Sequence, residues 1–172
     1  MAQVQARRPR GGECQSHQVK IGEALEAAAR AVGDQPVRGS DAAAISAAEA
    51  SAGAGVVPGG VAEQAQAAAD ANAGAAPPAE DTAITIGDVL AWNATAMLPT
   101  EKAVTAEDAA AAAGAEVEKD PGEGTRPYGV SAALAAAAKH DREDAECQSK
   151  RSAQPRAADE CTPALAEQFD QI

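Results

Sequence analysis

From Ile21 onward the side chains Ile21, Ala24, Leu25, Ala28 and Val32 fall at the 3.6-residue period, with Glu23, Glu26 and Arg30 on the other faces. That pattern predicts an amphipathic helix, stopped by Gly33 and then Pro36. Ile86, Val89, Leu90, Asn93 and Met97 repeat the stripe further along, and Pro99 stops it. Thr85 and Asp88 stand at capping-box spacing, where a hydroxyl and a carboxylate satisfy free amide donors. Lys20 holds the matching place in the first stretch, so the same cap is not expected there.

The two stripes belong to two copies of one longer unit. Ile21-Gly22 matches Ile86-Gly87 at an offset of 65 residues, Pro36-Val37 matches Ala103-Val104 and Asp41 matches Asp108 at 67, and Gly60-Val61 matches Gly129-Val130 at 69. The drift is what small loop insertions between helices produce. The chain therefore divides into a basic arm at 1–18, a first repeat at 19–73, a linker at 74–83, a second repeat at 84–141 and a divergent tail at 142–172. Arm and tail are expected to be disordered. Within the tail, only Thr162-Pro163 followed by Ala164, Leu165 and Phe169 hints at a last short helix.

Each repeat carries two further helical pieces. The middle ones start at Asp41 and at Thr105, whose partner Asp108 supplies a capping pair. The third ones start just after Gly60 and Gly129 and are nearly all alanine. Alanine is the best intrinsic helix former, but a stripe of methyl groups offers little packing energy. Short isolated helices are marginal in water even when rich in alanine.

Composition sharpens that conflict. The chain has 172 residues and 45% count as hydrophobic, yet 49 are alanine, while Ile, Leu, Val and Phe together number 22. Chains this poor in large aliphatics, with a net charge of -12, usually fail to hold one packed fold in dilute water. The expected fold class is largely disordered when hydrated and all-α where ordered, in short alanine-rich amphipathic helices built on two tandem repeats. Helix should increase when water becomes scarce, because backbone groups that lose solvent must bond each other.

Other classes fall away. No run reaches the roughly 18 apolar residues a membrane span needs, and no apolar segment of a secretory signal follows the N-terminal arginines. Acidity argues against nucleic acid as a partner. A cytoplasmic and nuclear location is expected, with Arg7, Arg8 and Arg10 as a weak nuclear-import signal. Three cysteines, Cys14, Cys147 and Cys161, do not make a disulfide framework.

Candidate chemistry is thin. Cys14 and His17 are separated by two residues, but no second close pair completes a zinc site with His140, Cys147 or Cys161. The carboxylates are spread along helix faces, where solvent is expected to hold them, so none is assigned to acid–base work. The glycines from Gly53 to Gly60 lack the lysine and hydroxyl of a phosphate loop and read as a linker before a helix. Asn93-Ala94-Thr95 matches the glycosylation pattern but has no secretory context. Thr105, followed by Glu107 and Asp108, reads as a helix cap at least as well as an acid-directed phosphorylation site. No catalytic, cofactor-binding or metal-binding residue is assigned, and no cofactor is expected.

The stretches IGEALEAAARAVGDQPVRGSDAAAISAAEA and IGDVLAWNATAMLPTEKAVTAEDA, with their closing halves PGGVAEQAQAAADANA and YGVSAALAAAAKHD, resemble the seed maturation protein class of late embryogenesis abundant proteins. The resemblance covers about two thirds of the chain in order and spacing. It implies a hydrophilic, non-enzymatic plant protein that accumulates late in seed development and serves desiccation tolerance. Its expected partners on drying are non-specific client proteins or membrane surfaces, and self-association is left open. The alternative is a constitutively folded helical-repeat interaction module, with Ile21 and Leu25 packed against Ile86 and Leu90.

Overall fold

A computed structural model describes residues 17–53, 55, 57–74, 82–90, 94–98 and 101–153. The described residues form helices and no strand. They are α1 (Ile21–Val32), α2 (Gly39–Ser51), α3 (Val61–Gly74), α4 (Ile86–Leu90), α5 (Ala94–Met97), α6 (Ala106–Lys119) and α7 (Val130–Ala153). In the second copy the described part of the expected stripe is helical at α4 and at α5, and residues 91–93 lie outside the described residues.

Capping explains several boundaries. Thr105 Oγ1 accepts the Asp108 amide at 3.2 Å, and Asp108 Oδ2 accepts the Thr105 amide at 3.0 Å, which fixes the start of α6. Thr85 and Asp88 make the same reciprocal pair at α4. Half of that device survives where the first copy lacks the hydroxyl. Glu23 Oε2 accepts the Lys20 amide at 3.0 Å, and Asp41 Oδ2 accepts the Arg38 amide at 2.9 Å. The third pieces begin at Val61 and Val130, directly after their glycines.

The helices pack across the two copies as well as within them. α2 lies against α6 at the centre, flanked by α3 on α2 and α7 on α6. α1 packs on α7, α4 and α5, and α3 packs on α4. Between the helices, two isolated antiparallel bridges join Lys20 to Ala103 and Pro36 to Thr85. Their bonds come in matching pairs. The Val37 amide donates to the Ile84 carbonyl and the Val104 amide to the Val19 carbonyl, both at 3.0 Å. The Ile86 amide donates to the Gln35 carbonyl at 2.9 Å, and the Ile21 amide to the Lys102 carbonyl at 3.3 Å.

One hydrophobic cluster results. Ile21, Leu25, Ile45, Ile86, Leu90 and Leu134 are fully buried in it, so the apolar stripes of both copies meet in a shared interior. Of the 28 buried apolar residues among those described, 15 are alanine. Helices bearing methyl groups can approach closely, as they do at Gly87. Its amide donates to the Gly33 carbonyl at 2.8 Å, and a Cβ there would lie 2.9 Å from that oxygen.

One feature differs from the sequence reading. The tail assigned to 142–172 does not begin where α7 ends, because that helix continues through Arg142 to Ala153; residues 154–172 lie outside the described residues. The arm at 1–18 is described only at His17 and Gln18, and the linker at 74–83 only at its two ends.

Candidate functional site

The interior is held by carboxylates as much as by hydrocarbon. Asp41, Glu49, Asp108 and Glu116 are buried, contrary to the expectation that solvent would hold the acidic residues. Each accepts a hydrogen bond from a helix start, where unpaired amide donors and the helix dipole favour negative charge. Glu49, on α2, accepts the amides of Val57 at 2.9 Å and Ala62 at 2.8 Å, and so caps α3. Gly60 makes room for it, since a Cβ at that position would sit 2.7 Å from Glu49 Oε1. Glu116, on α6, accepts the amides of Arg126 and Ser131 at 3.3 Å and the Ser131 hydroxyl at 2.9 Å, and so caps α7.

Their environments set their charge states apart. Burial pushes the Glu116 carboxyl above its ordinary range, against the pull of the Ser131 hydroxyl and amide and the Arg126 amide. Asp41 is likewise raised by burial, against its bond from the Arg38 amide and the nearby Arg126 guanidinium, whose Nη2 lies 3.2 Å away. Burial opposes ionisation of Asp108 too. There, hydrogen bonds from Lys102 Nζ at 2.8 Å and from Thr105 outweigh it and leave the carboxyl below its usual range. Lys102 Nζ also donates to the Ser51 carbonyl at 2.8 Å, joining the last turn of α2 to the first of α6.

A second set of contacts pins the start of each copy to the third helix of the other. The Val19 amide donates to Asp141 Oδ1 and Oδ2 at 3.0 and 3.2 Å. The Ile84 amide donates to Asn72 Oδ1 at 2.9 Å, and Asn72 Nδ2 donates to the Ile84 and Val37 carbonyls at 2.8 and 3.0 Å. Two openings flank this framework. A cavity of about 790 Å³ between α6 and α7 is lined largely by alanine, including Ala109, Ala113, Ala132 and Ala135, with Lys139 and Arg142 among its residues. A smaller one of about 440 Å³ lies by the start of α2 and the turn before α7.

The residues singled out in the sequence do not converge. His17 Nε2 lies 3.4 Å from Glu23, and His140 lies beside Asp141 and Asp144 on α7. Among the described residues no three His, Cys, Asp or Glu side chains gather as metal ligands. Cys147 is disulfide-bonded, which the scattered cysteine count did not anticipate; Cys14 and Cys161 lie outside the described residues, as do Arg7, Arg8, Arg10 and Asn93. Thr105 serves as the N-cap of α6. Glu49 and Glu116 carry no local motif, and their one signal in the sequence is the 67-residue offset they share with Asp41 and Asp108.

The seed maturation protein family matches residues 19–75 and 84–146, covering both capping carboxylates and both pinning contacts. The chain belongs to the seed maturation protein family. Its similarity to curated relatives runs the same way. It is 49% identical over 123 residues to late embryogenesis abundant protein 47 of Arabidopsis thaliana, covering 70% of this chain and 62% of that protein. It is 46% identical over 123 residues to late embryogenesis abundant protein D-34 of Gossypium hirsutum, covering 70% of this chain and 46% of that one. The chain therefore spans between about half and two thirds of these relatives. No solved structure matches it. As a seed maturation protein it is all-helical where described, and no described helix is long and apolar enough to cross a membrane.

Proposed function

We propose that this seed maturation protein is a non-enzymatic protectant of the late embryogenesis abundant type, mostly disordered in hydrated cells and driven into its helical form by water loss. One observation carries the reading: more than half of the buried apolar residues are alanines, which contribute single methyl groups to the core. Burial at about 25 cal/mol per Å² then stabilises the fold weakly, against roughly 1–2 kcal/mol of backbone entropy per residue. Falling water activity removes the solvent that competes for backbone amides and carbonyls, and the balance moves toward helix. The dried helices would interpose between client proteins or membrane surfaces in the cytoplasm and nucleus. The net charge of -12 keeps copies apart until then.

Far-UV circular dichroism in dilute buffer and again in a dried film tests the folding step. A labile enzyme dried with the protein, against an equal mass of an inert globular protein, tests protection. Coil turning to helix, with better recovery than the inert control, is the expected result.

A second reading, a constitutively folded interaction module, is favoured by the complete burial of Ile21, Leu25, Ile86 and Leu90 in one cluster. Cooperative melting from a helical state in buffer would select it.

A further inference from the structure

Helix α7 runs on past Asp141 to Ala153 over a stretch without an apolar period, and the start of the first copy lies along that extension. The Val19 amide is bonded to Asp141, and His17 and Gln18 share a cleft of about 140 Å³ with Asp141, Asp144, Ala145 and Gln148. Backward from Val19, the chain therefore follows α7 toward its end, where Asp141 and Gln148 are about 10 Å apart at 1.5 Å per residue. Cys147 stands within that span. It is disulfide-bonded, and half-buried while Glu146, Gln148 and Ser149 beside it are exposed.

The sequence offers Cys147 two partners within the chain, Cys14 and Cys161. Cys14 is three residues before His17, a tether of at most about 11 Å that starts beside Gln148. Cys161 is eight residues past Ala153, and Ala153 is itself six residues of helix beyond Cys147, so that partner would have to double back. A disulfide holds its two Cα atoms about 4.4–6.8 Å apart, which the tether from His17 can meet.

We propose that Cys14 and Cys147 form a redox-controlled pair, joined by exchange with a small-molecule disulfide such as oxidised glutathione once the helices are in place. One cysteine thiolate attacks the glutathione disulfide, forming a mixed disulfide and releasing one glutathione thiolate. The other then attacks the protein sulfur of that bond and releases the second. Two protein thiols give up two protons and two electrons, and two glutathione thiols take them up. In the coil the cysteines are separated by about 130 residues of chain, and the helical form brings them together, so folding and oxidation favour each other by the same factor. Closing a loop of that length constrains the unfolded chain and should favour the helical form by on the order of 10²–10³-fold. Helices formed on drying then persist when water returns, until a thiol reduces the bond. That persistence rests on the reading that water loss folds the chain; the pairing itself does not.

The full chain is equilibrated with reduced and oxidised glutathione, quenched and digested with trypsin. Lys20, Arg142, Lys150 and Arg156 place the three cysteines on separate peptides. The joined peptides should carry Cys14 and Cys147. Glycine betaine, an excluded osmolyte that favours compact states, should lower at least tenfold the oxidised share of glutathione needed to join half the chains. Cys161→Ser should leave both results unchanged, and Cys14→Ser should abolish the betaine effect. After drying and rewetting, the oxidised chain should keep its helical circular dichroism until dithiothreitol is added, while the reduced chain loses it at once.

Peptides joining Cys147 to Cys161, or bonds only between two copies, would overturn the inference. So would a betaine-induced helix that leaves the joining unchanged, or an oxidised chain that returns to coil as fast as the reduced one. A chain that stays coil in betaine and on drying would overturn it together with the folding reading. A chain already helical in buffer would overturn only the folding reading; the pair should then form without betaine, fail to form in urea and raise the thermal midpoint.

Discussion

Glu49 accepts the amide of Ala62 at 2.8 Å with its side chain almost wholly buried. A carboxylate on the second helix of the unit thus supplies the cap of the third. Removing it by Glu49→Ala would leave the amides of Val57 and Ala62 without an acceptor, and should cost about 1–3 kcal/mol. Glu49→Gln keeps one acceptor oxygen and should cost less. The shift in the midpoint of osmolyte-induced helix formation measures both. Equal midpoints for all three chains would show that the cap carries no weight.

Two glycines should respond in opposite directions to alanine. Gly114, on α6, is exposed and has open space where a Cβ would go, so Gly114→Ala should stabilise helix by about 0.5–1 kcal/mol. Gly87→Ala would place a Cβ 2.9 Å from the Gly33 carbonyl oxygen and force α4 away from α1. That variant should be the less stable one despite its better helix propensity. Helix midpoints that move together would remove the close contact as a constraint.

Asn72 and Asp141 do the same work with different chemistry, each taking the amide that precedes a first helix. Asp141→Asn should therefore be tolerated within about 0.5 kcal/mol, whereas Asp141→Ala should lose roughly 1 kcal/mol with its two bonds from Val19. Hydrogen exchange at the Val19 amide distinguishes them, with protection kept in the first variant and lost in the second.

The pH dependence should change sign. Asp41 and Glu116 are raised by burial, so the folded chain takes up their protons earlier than the unfolded one. They favour folding increasingly as pH falls from neutral through their raised folded values. Asp108, Asp88 and Glu23 are lowered; the stability they give is present above the ordinary carboxylate range and is lost as pH falls through their depressed folded values. Helix content at fixed osmolality should rise on mild acidification, helped by the shrinking net charge, and fall again at strongly acid pH. A fall beginning at pH 7 would mean that burial of Asp41 and Glu116 imposes no strain.

Much of this architecture was written in local signals. The helix starts at Thr85, Thr105, Val61 and Val130 follow from caps and glycines within a few residues of each. The stripe Ile21, Leu25, Ile86, Leu90 named the aliphatic centre. What periodicity cannot show is where a polar residue is used across a distance. Glu49 has the same helical-face appearance as any solvated glutamate, and its burial depends on Gly60, eleven residues on, bringing the start of α3 to it. Arg126 sits in a Gly/Pro-rich turn and owes its burial to Asp41, from the other copy. For α7, the loss of apolar period after Asp141 suggested a boundary, but intrinsic propensity carries the helix on to Ala153.

The bond from Val19 to Asp141 has a topological meaning when set beside the one from Ile84 to Asn72. Following the backbone from Val19 through α1, α2 and α3 leads to Asn72, which holds Ile84. Continuing through α4 to α7 leads to Asp141, which holds Val19 again. In space the fold is cyclic, with two equivalent seams, and the covalent chain crosses only one of them. Linear order is then a property of the gene and not of the packing. A circular permutant opened between Gly74 and Thr82 and joined across the other seam should close the same ring.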